Sequence, residues 1–142
     1  MRKFFILTAL SLATLIMSAG TASGQTLKQD ALISIHTLSI SLEEGVTMDQ
    51  YLDFLVGEFL PAYKKNFSCD AYLVKGLNRE IEGKIGVLVH FNSKKEWNKY
   101  FNDDGSSTET GKAAIDEIRP VLDEMKKLGS YRSENVVDWV VQ

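Results

Sequence analysis

The sequence predicts an α+β fold in which one antiparallel sheet carries helices on one face. The main observation is a pattern that occurs twice: a strand-like apolar run, a helix-capping sequence and an aromatic-faced helix follow one another at residues 38–55 and again at residues 85–101. A further strand-like run comes after each helix. Two β-α-β units in a chain of 142 residues indicate a sheet of four strands.

The first strand is expected over residues 31–42 and ends in an alternation typical of a half-buried strand. Its apolar positions in this half are Leu38, Ile40 and Leu42, separated by serines. Ile33 and Ile35 have the opposite parity. Either both faces of the sheet are covered there, or a β-bulge near Thr37 shifts the register.

The first helix is expected to begin at Thr47 and to be interrupted near its middle. Thr47 and Gln50 have the spacing of a capping box, in which each side chain accepts a hydrogen bond from the other residue's backbone N–H. Pro61 lies within the helical pattern. Because proline lacks an N–H and clashes with the preceding turn, we expect a kink or break near residues 58–60.

The second half of the chain supplies the other strands. Strand two is expected over residues 69–77 and strand three over 84–91, joined as an antiparallel hairpin. Strand three places Val87, Val89 and Phe91 on one face and Leu88 with His90 on the other. Helices are expected over 93–101 and 109–128, with a bend at Pro120, and a last strand over 133–141. Both faces of strand three carry apolar groups, so we expect both to be covered.

This β-α-β-β-α-β order, with an extra helix before the last strand, corresponds to a ferredoxin-like sheet of order 4-1-3-2. The chain resembles the dimeric α+β barrel superfamily in two segments: residues 38–45 running into Thr47, and residues 89–93 running into Trp97 and Tyr100. The resemblance covers nearly all of residues 25–142. It implies a homodimer in which two sheets close into a barrel.

The superfamily includes haem-degrading and quinone-forming monooxygenases, chlorite dismutase-type haem enzymes and lactone isomerases. Its haem-degrading branch has a polar residue on strand one, a tryptophan ending strand three and a histidine ligand on the second helical segment. The corresponding positions here are Leu38 and Phe91, and no histidine follows His90. These differences argue against a haem-degrading activity. We therefore expect no cofactor and no metal.

Residues 1–24 are predicted to be a signal peptide. Basic residues come first, a mostly apolar stretch spans residues 4–17, and small residues follow at 18–24. Residues 25–142 then form a single domain that is exported to the periplasm or secreted, and no later run is long enough to span a membrane. Without Arg2 and Lys3, 14 basic and 19 acidic residues give a net charge of −5, which makes nucleic acid a poor partner.

The two histidines, His36 and His90, are candidate catalytic residues because paired imidazoles can act as base and acid, or bind a metal. Their strands are expected to be antiparallel neighbours. Parity nevertheless places His36 on the helix face and His90 on the barrel face, unless a bulge near Thr37 reconciles them. Two separate histidines with structural roles are the alternative. Cys69, the only cysteine, is interpreted as a small buried apolar residue.

Glu58 is the third catalytic candidate, because it lies among apolar residues just before Pro61 and could act as a desolvated base. The alternative places it in solvent beside Lys64 or Lys65. Aromatic residues at helical and strand positions could line a ligand pocket between helices and sheet, or could simply form the core. These are Tyr51, Phe54, Tyr63, Tyr72, Trp97 and Tyr100.

Three functions remain open from the sequence. The first is a homodimer that binds a small apolar or aromatic molecule. The second is a cofactor-independent monooxygenase or isomerase that acts on an aromatic or quinol-like substrate. The third is a purely structural dimeric subunit. No motif in the sequence requires a particular reaction.

Overall fold

The computed structural model describes residues 27–77 and 79–142; the predicted signal peptide lies outside the described residues. The strands are β1 (Leu32–Leu42), β2 (Asp70–Lys75), β3 (Ile85–Phe91) and β4 (Gly129–Val140). The helices are α1 (Met48–Phe54), α2 (Leu60–Phe67), α3 (Lys94–Trp97) and α4 (Glu109–Leu128). A π-helical turn (Leu55–Phe59) joins α1 to α2, and a 3-10 turn (Arg79–Ile81) lies between β2 and β3.

The four strands form one antiparallel sheet in the order β2-β3-β1-β4. Read from the other edge, this order is 4-1-3-2. The long central strand β1 pairs with β3 on one side and with β4 along its whole length on the other. The α+β class and the antiparallel sheet that the sequence predicts are therefore confirmed, as is the helix before the last strand.

The core lies between one face of the sheet and the helices. Five large side chains are fully buried there: Leu32 and Phe91 from the sheet, and Tyr51, Leu55 and Phe67 from the helical segment. Phe67 stacks on Tyr63, with ring centroids 4.3 Å apart, and on Phe101 at 5.6 Å. Burial of these rings holds α1 and α2 on the sheet.

Side chains at the helix starts satisfy the first backbone N–H groups. The predicted capping box is present: the Gln50 N–H donates to Thr47 Oγ1 at 3.3 Å, and the Thr47 N–H donates to Gln50 Oε1 at 2.9 Å. Ser93 and Thr108 accept equivalent bonds at the starts of α3 and α4. α3 is shorter than predicted, because the chain after Trp97 continues in turns toward the loop before α4.

The first helix is interrupted before Pro61, as predicted, but it does not break. The chain widens into a π-helical turn, in which the Leu60 N–H donates to the Leu55 carbonyl, and then continues as α2. A wider turn accommodates the missing N–H of proline without ending the helix. The π turn buries Leu55 and Phe59 and leaves the three residues between them exposed.

The last strand begins at Gly129, four residues earlier than predicted, directly after α4. A Cβ atom at Gly129 would lie 2.5 Å from the Ser41 carbonyl oxygen, so only glycine allows β4 to approach β1 this closely. The β1–β4 register shifts between Thr37 and Leu38, and the extra residue, Glu134, belongs to β4. The register of β1 with β3 is unshifted.

The sheet face opposite the helices is open. Ile33 and Ile35 point to it, together with Leu88 and His90 of β3 and Trp139 of β4, because paired residues share a face. Among the described residues, no helix combines the length and the apolar character that crossing a membrane requires.

Candidate ligand-binding site between the sheet and helix α2

A cleft lies between the helix face of the sheet and the helices. It consists of an inner chamber of about 80 Å³ and an outer chamber of about 340 Å³, which share His36, Tyr63 and Val89 in their walls. The inner chamber is also lined by Leu38, Leu55, Phe59, Leu60, Val87, Tyr131 and Ser133. The outer chamber is also lined by Ser34, Phe91, Trp97, Phe101, Gly105, Val136 and Asp138. Most of this surface is apolar, and His36 lies where the two chambers meet.

Three side chains from β1 and β4 form a hydrogen-bonded chain at this point. Ser34 Oγ lies 2.9 Å from His36 Nε2 and donates to Asp138 Oδ1 at 2.5 Å. A hydroxyl has one proton, and the Asp138 carboxylate can only accept it. The Nε2 of His36 must therefore carry the proton that it donates to Ser34, and its Nδ1 is the acceptor nitrogen of the ring.

His36 is a neutral base at pH 7 in this arrangement. Burial lowers the pKa of His36 below its ordinary value of 6.5, and the nearby Asp138 carboxylate offsets only part of that effect. Nδ1 lies 3.4 Å from Ser133 Oγ, a distance too long for a strong hydrogen bond. The site thus offers an unprotonated imidazole nitrogen toward the inner chamber.

Two tyrosines add phenolic hydroxyls to the walls. Burial raises the pKa of Tyr63, with Cys69 and Tyr131 adding to the effect, and burial also raises the pKa of Tyr131. Both phenols therefore stay protonated at neutral pH. Burial similarly raises the pKa of the Cys69 thiol to about 12, with Asp70 acting in the same direction, so this thiol is not activated.

The structure does not bring the two histidines together. His36 pairs with Val87 on the helix face, whereas His90 pairs with Ile33 on the open face. The bulge expected near Thr37 lies on β4, so β1 keeps its alternation and the two imidazoles stay on opposite faces. His90 Nδ1 lies 3.5 Å from Asp70 Oδ2, and its Nε2 is buried with no hydrogen-bond partner among the described residues.

Glu58 lies away from the cleft. It is exposed in the π turn, on a surface shared with Phe54 of α1 and Pro120, Val121 and Glu124 of α4. The desolvated environment expected for this carboxylate is not present, because the wide turn directs residues 56–58 outward.

Of the six aromatic residues predicted to line a pocket, Tyr63 and Trp97 line the cleft. Tyr51 and Tyr100 are buried in the core instead. Phe54 faces α4, and Tyr72 is exposed on the open face of the sheet, with its ring 5.2 Å from Lys64 Nζ. The six residues therefore do not form one pocket.

Sequence reasoning missed Ser34 and Asp138. The spacing of Ser34 and His36 could have indicated that they share a face, because alternate residues of a strand do. Asp138 could not be found in this way, since its position opposite Ser34 depends on the β1–β4 register beyond the bulge.

The loop over residues 102–108 lies at the outer end of the cleft, where Gly105 forms part of the wall. Asp103 of this loop pairs with Lys94 at 3.0 Å, and Lys94 Nζ also lies 3.9 Å from the centroid of the Trp97 ring. These contacts attach the loop to α3. Within residues 27–77 and 79–142, no cluster of three or more His, Cys, Asp or Glu side chains is placed to hold a metal ion.

No protein-family model matches the chain, and no curated protein matches it significantly.

Proposed function

We propose that the protein binds a small, largely apolar organic molecule in the cleft at His36. The supporting observation is the outer chamber of about 340 Å³, whose walls are mostly aromatic and aliphatic and in which Ser34, His36 and Asp138 form one polar cluster. Ligand sites are typically apolar concavities with a few polar groups that orient the ligand. The hydrogen-bonded chain through Ser34 supplies such groups here.

Phenethyl alcohol is a suitable probe because it combines an aromatic ring with one hydroxyl. We expect it to bind the purified protein, measured by calorimetry and by ligand-observed NMR. The variant Val136→Phe adds a ring where Val136 lines the outer chamber and should weaken binding at least about tenfold, because overlap of atoms is costly. Val56→Phe is the matched control: Val56 is 53% exposed in the π turn and lines neither chamber. Equal binding by both variants would contradict the proposal.

We further infer that a second copy of the chain covers the open sheet face, as in the ferredoxin-like dimeric α+β barrels that the sequence resembles. Its exposed apolar residues include Ile35, Tyr72, Val137 and Trp139, and Trp139 is 61% exposed. A contiguous apolar sheet face is typical of an interface. Light scattering should give twice the monomer mass, and Trp139→Glu should dissociate the dimer, whereas Ala113→Glu on the exposed side of α4 should not. A monomeric native protein at micromolar concentration would overturn this inference.

Catalysis is the second candidate function, and the neutral imidazole of His36 favours it. As a base in an apolar cleft, His36 could take a proton from a quinol-like substrate, as in a cofactor-independent oxygenase or an isomerase. Turnover of a hydroquinone should then be lost in His36→Gln and retained in His90→Gln, whose side chain lies on the other face. A folded dimer with neither binding nor turnover would favour the structural-subunit alternative.

Export remains a prediction from residues 1–24. We expect the protein recovered from the periplasm or the medium to begin close to residue 25, as N-terminal sequencing would determine. Recovery of a chain that begins at residue 1 would contradict it.

A further inference from the structure

The cleft carries a negative charge without a compensating cation. Asp138 lines the outer chamber, and neither chamber has a lysine or an arginine in its wall. Asp138 is also absent from the ion pairs that the described residues form. An anionic ligand would therefore meet repulsion and no partner in this chamber.

The position of the Asp138 carboxylate is fixed by Ser34, which is only 4% exposed. Ser34 donates to Oδ1, and no described residue donates to Oδ2. A carboxylate with one oxygen held in place and the other available is a preorganised acceptor. Asp138, which carries this free Oδ2, lines the outer chamber.

Aromatic rings form a large part of the remaining wall of this chamber. Tyr63, Phe91, Trp97 and Phe101 contribute aromatic surface. The face of an aromatic ring carries negative electrostatic potential and attracts cations. One such cation–ring contact is present at α3, where Lys94 Nζ lies 3.9 Å from the centroid of the Trp97 ring.

A ligand that fills the chamber must displace water from Asp138. A purely apolar ligand would cover part of this exposed carboxylate and replace water at its second oxygen with no donor, which is unfavourable. A ligand with a cationic nitrogen would replace that water with an ion pair, while its apolar part covers the rings. We propose that the ligand of this cleft is a small organic cation, an aryl-alkyl or alkyl ammonium, whose nitrogen pairs with Asp138 and whose apolar part lies against Tyr63, Trp97 and Phe101. This proposal depends on the proposed binding function of the same cleft.

Four probes of similar size separate the charge from the ring: phenethylamine, phenethyl alcohol, propylbenzene and phenylacetate. We expect the native protein to bind phenethylamine about tenfold more tightly than the alcohol, because a charge-assisted hydrogen bond is roughly twice as strong as a neutral one. Phenylacetate should bind least tightly. Asp138→Asn should abolish the preference, so that the amine and the alcohol bind with about equal affinity. Asp53→Asn, the same change at an exposed position of α1, should leave the preference intact.

The preference measured in the native protein decides the proposal even if Asp138→Asn fails to fold. Equal affinity for amine and alcohol, tighter binding of phenylacetate, or a preference that survives Asp138→Asn would overturn it while leaving the binding function in place. Binding of none of the four probes would overturn the binding function together with this proposal.

Discussion

Replacing Ser34 by alanine tests the hydrogen-bonded chain on which the candidate site depends. Ser34 is buried, and its hydroxyl holds His36 on one side and Asp138 on the other. The variant removes a bond to a charged group, worth about 1.5–3 kcal/mol, and a neutral bond worth about 1 kcal/mol. Asp138 is exposed and regains water, which offsets much of the first loss, whereas His36 Nε2–H keeps no partner in the wall. We expect a net loss of about 2 kcal/mol of unfolding free energy.

Urea denaturation followed by circular dichroism measures this loss. With an m-value of about 2 kcal/mol per M, the midpoint should fall by about 1 M at constant slope. Ser41→Ala is the matched control, because Ser41 is an exposed serine of the same strand and should change stability by less than about 0.5 kcal/mol. If Ser34→Ala and Ser41→Ala were equally stable, the hydrogen-bonded chain would contribute nothing and the argument for it would fail.

Three further predictions concern the imidazole, the first cap and a close helix contact. Burial lowers the pKa of His36, so its NMR titration midpoint should lie below 6.5 and fall further in Asp138→Asn. The contribution of neutral His36 to stability is complete above pH 6.5 and is lost as the pH falls through the folded-state pKa. A titration midpoint above 6.5 would contradict this prediction. Thr47→Ala should cost about 1 kcal/mol in urea denaturation, because the cap of α1 is lost, and no change would argue against the capping box. Gly111→Ala should lower the melting temperature, because the added Cβ would lie 2.1 Å from the Tyr100 carbonyl oxygen. Gly57→Ala, whose Cβ would have nothing within 4 Å, should raise the melting temperature. A higher melting temperature for Gly111→Ala than for Gly57→Ala would refute the close contact.

Local patterns were sufficient to predict most of the fold. Three kinds of pattern depend only on neighbours a few residues away: the alternation of Leu38, Ile40 and Leu42, the capping residues Thr47 and Ser93, and the apolar stripe of α4. The structure confirms the elements that these patterns indicate. The interruption predicted before Pro61 is present, and its form is a π-helical turn. A proline removes one N–H wherever it occurs, but whether the helix breaks or widens depends on the packing of Leu55 and Phe59 against the sheet.

The sequence by itself determined the α+β class, the order of the elements and the face of β3 to which each side chain points, because these follow from the periods of helix and strand. Only the tertiary structure decided the site. The extra residue Glu134 places the β-bulge on β4 and leaves β1 regular, which separates His36 from His90 and brings Asp138 opposite Ser34. Ser34 and Asp138 lie about a hundred positions apart in the chain, and no local pattern encodes the register that brings them together. The two-histidine site considered from the adjacency of β1 and β3 is therefore absent, and the candidate site is a chain of Asp138, Ser34 and His36 in an apolar cleft.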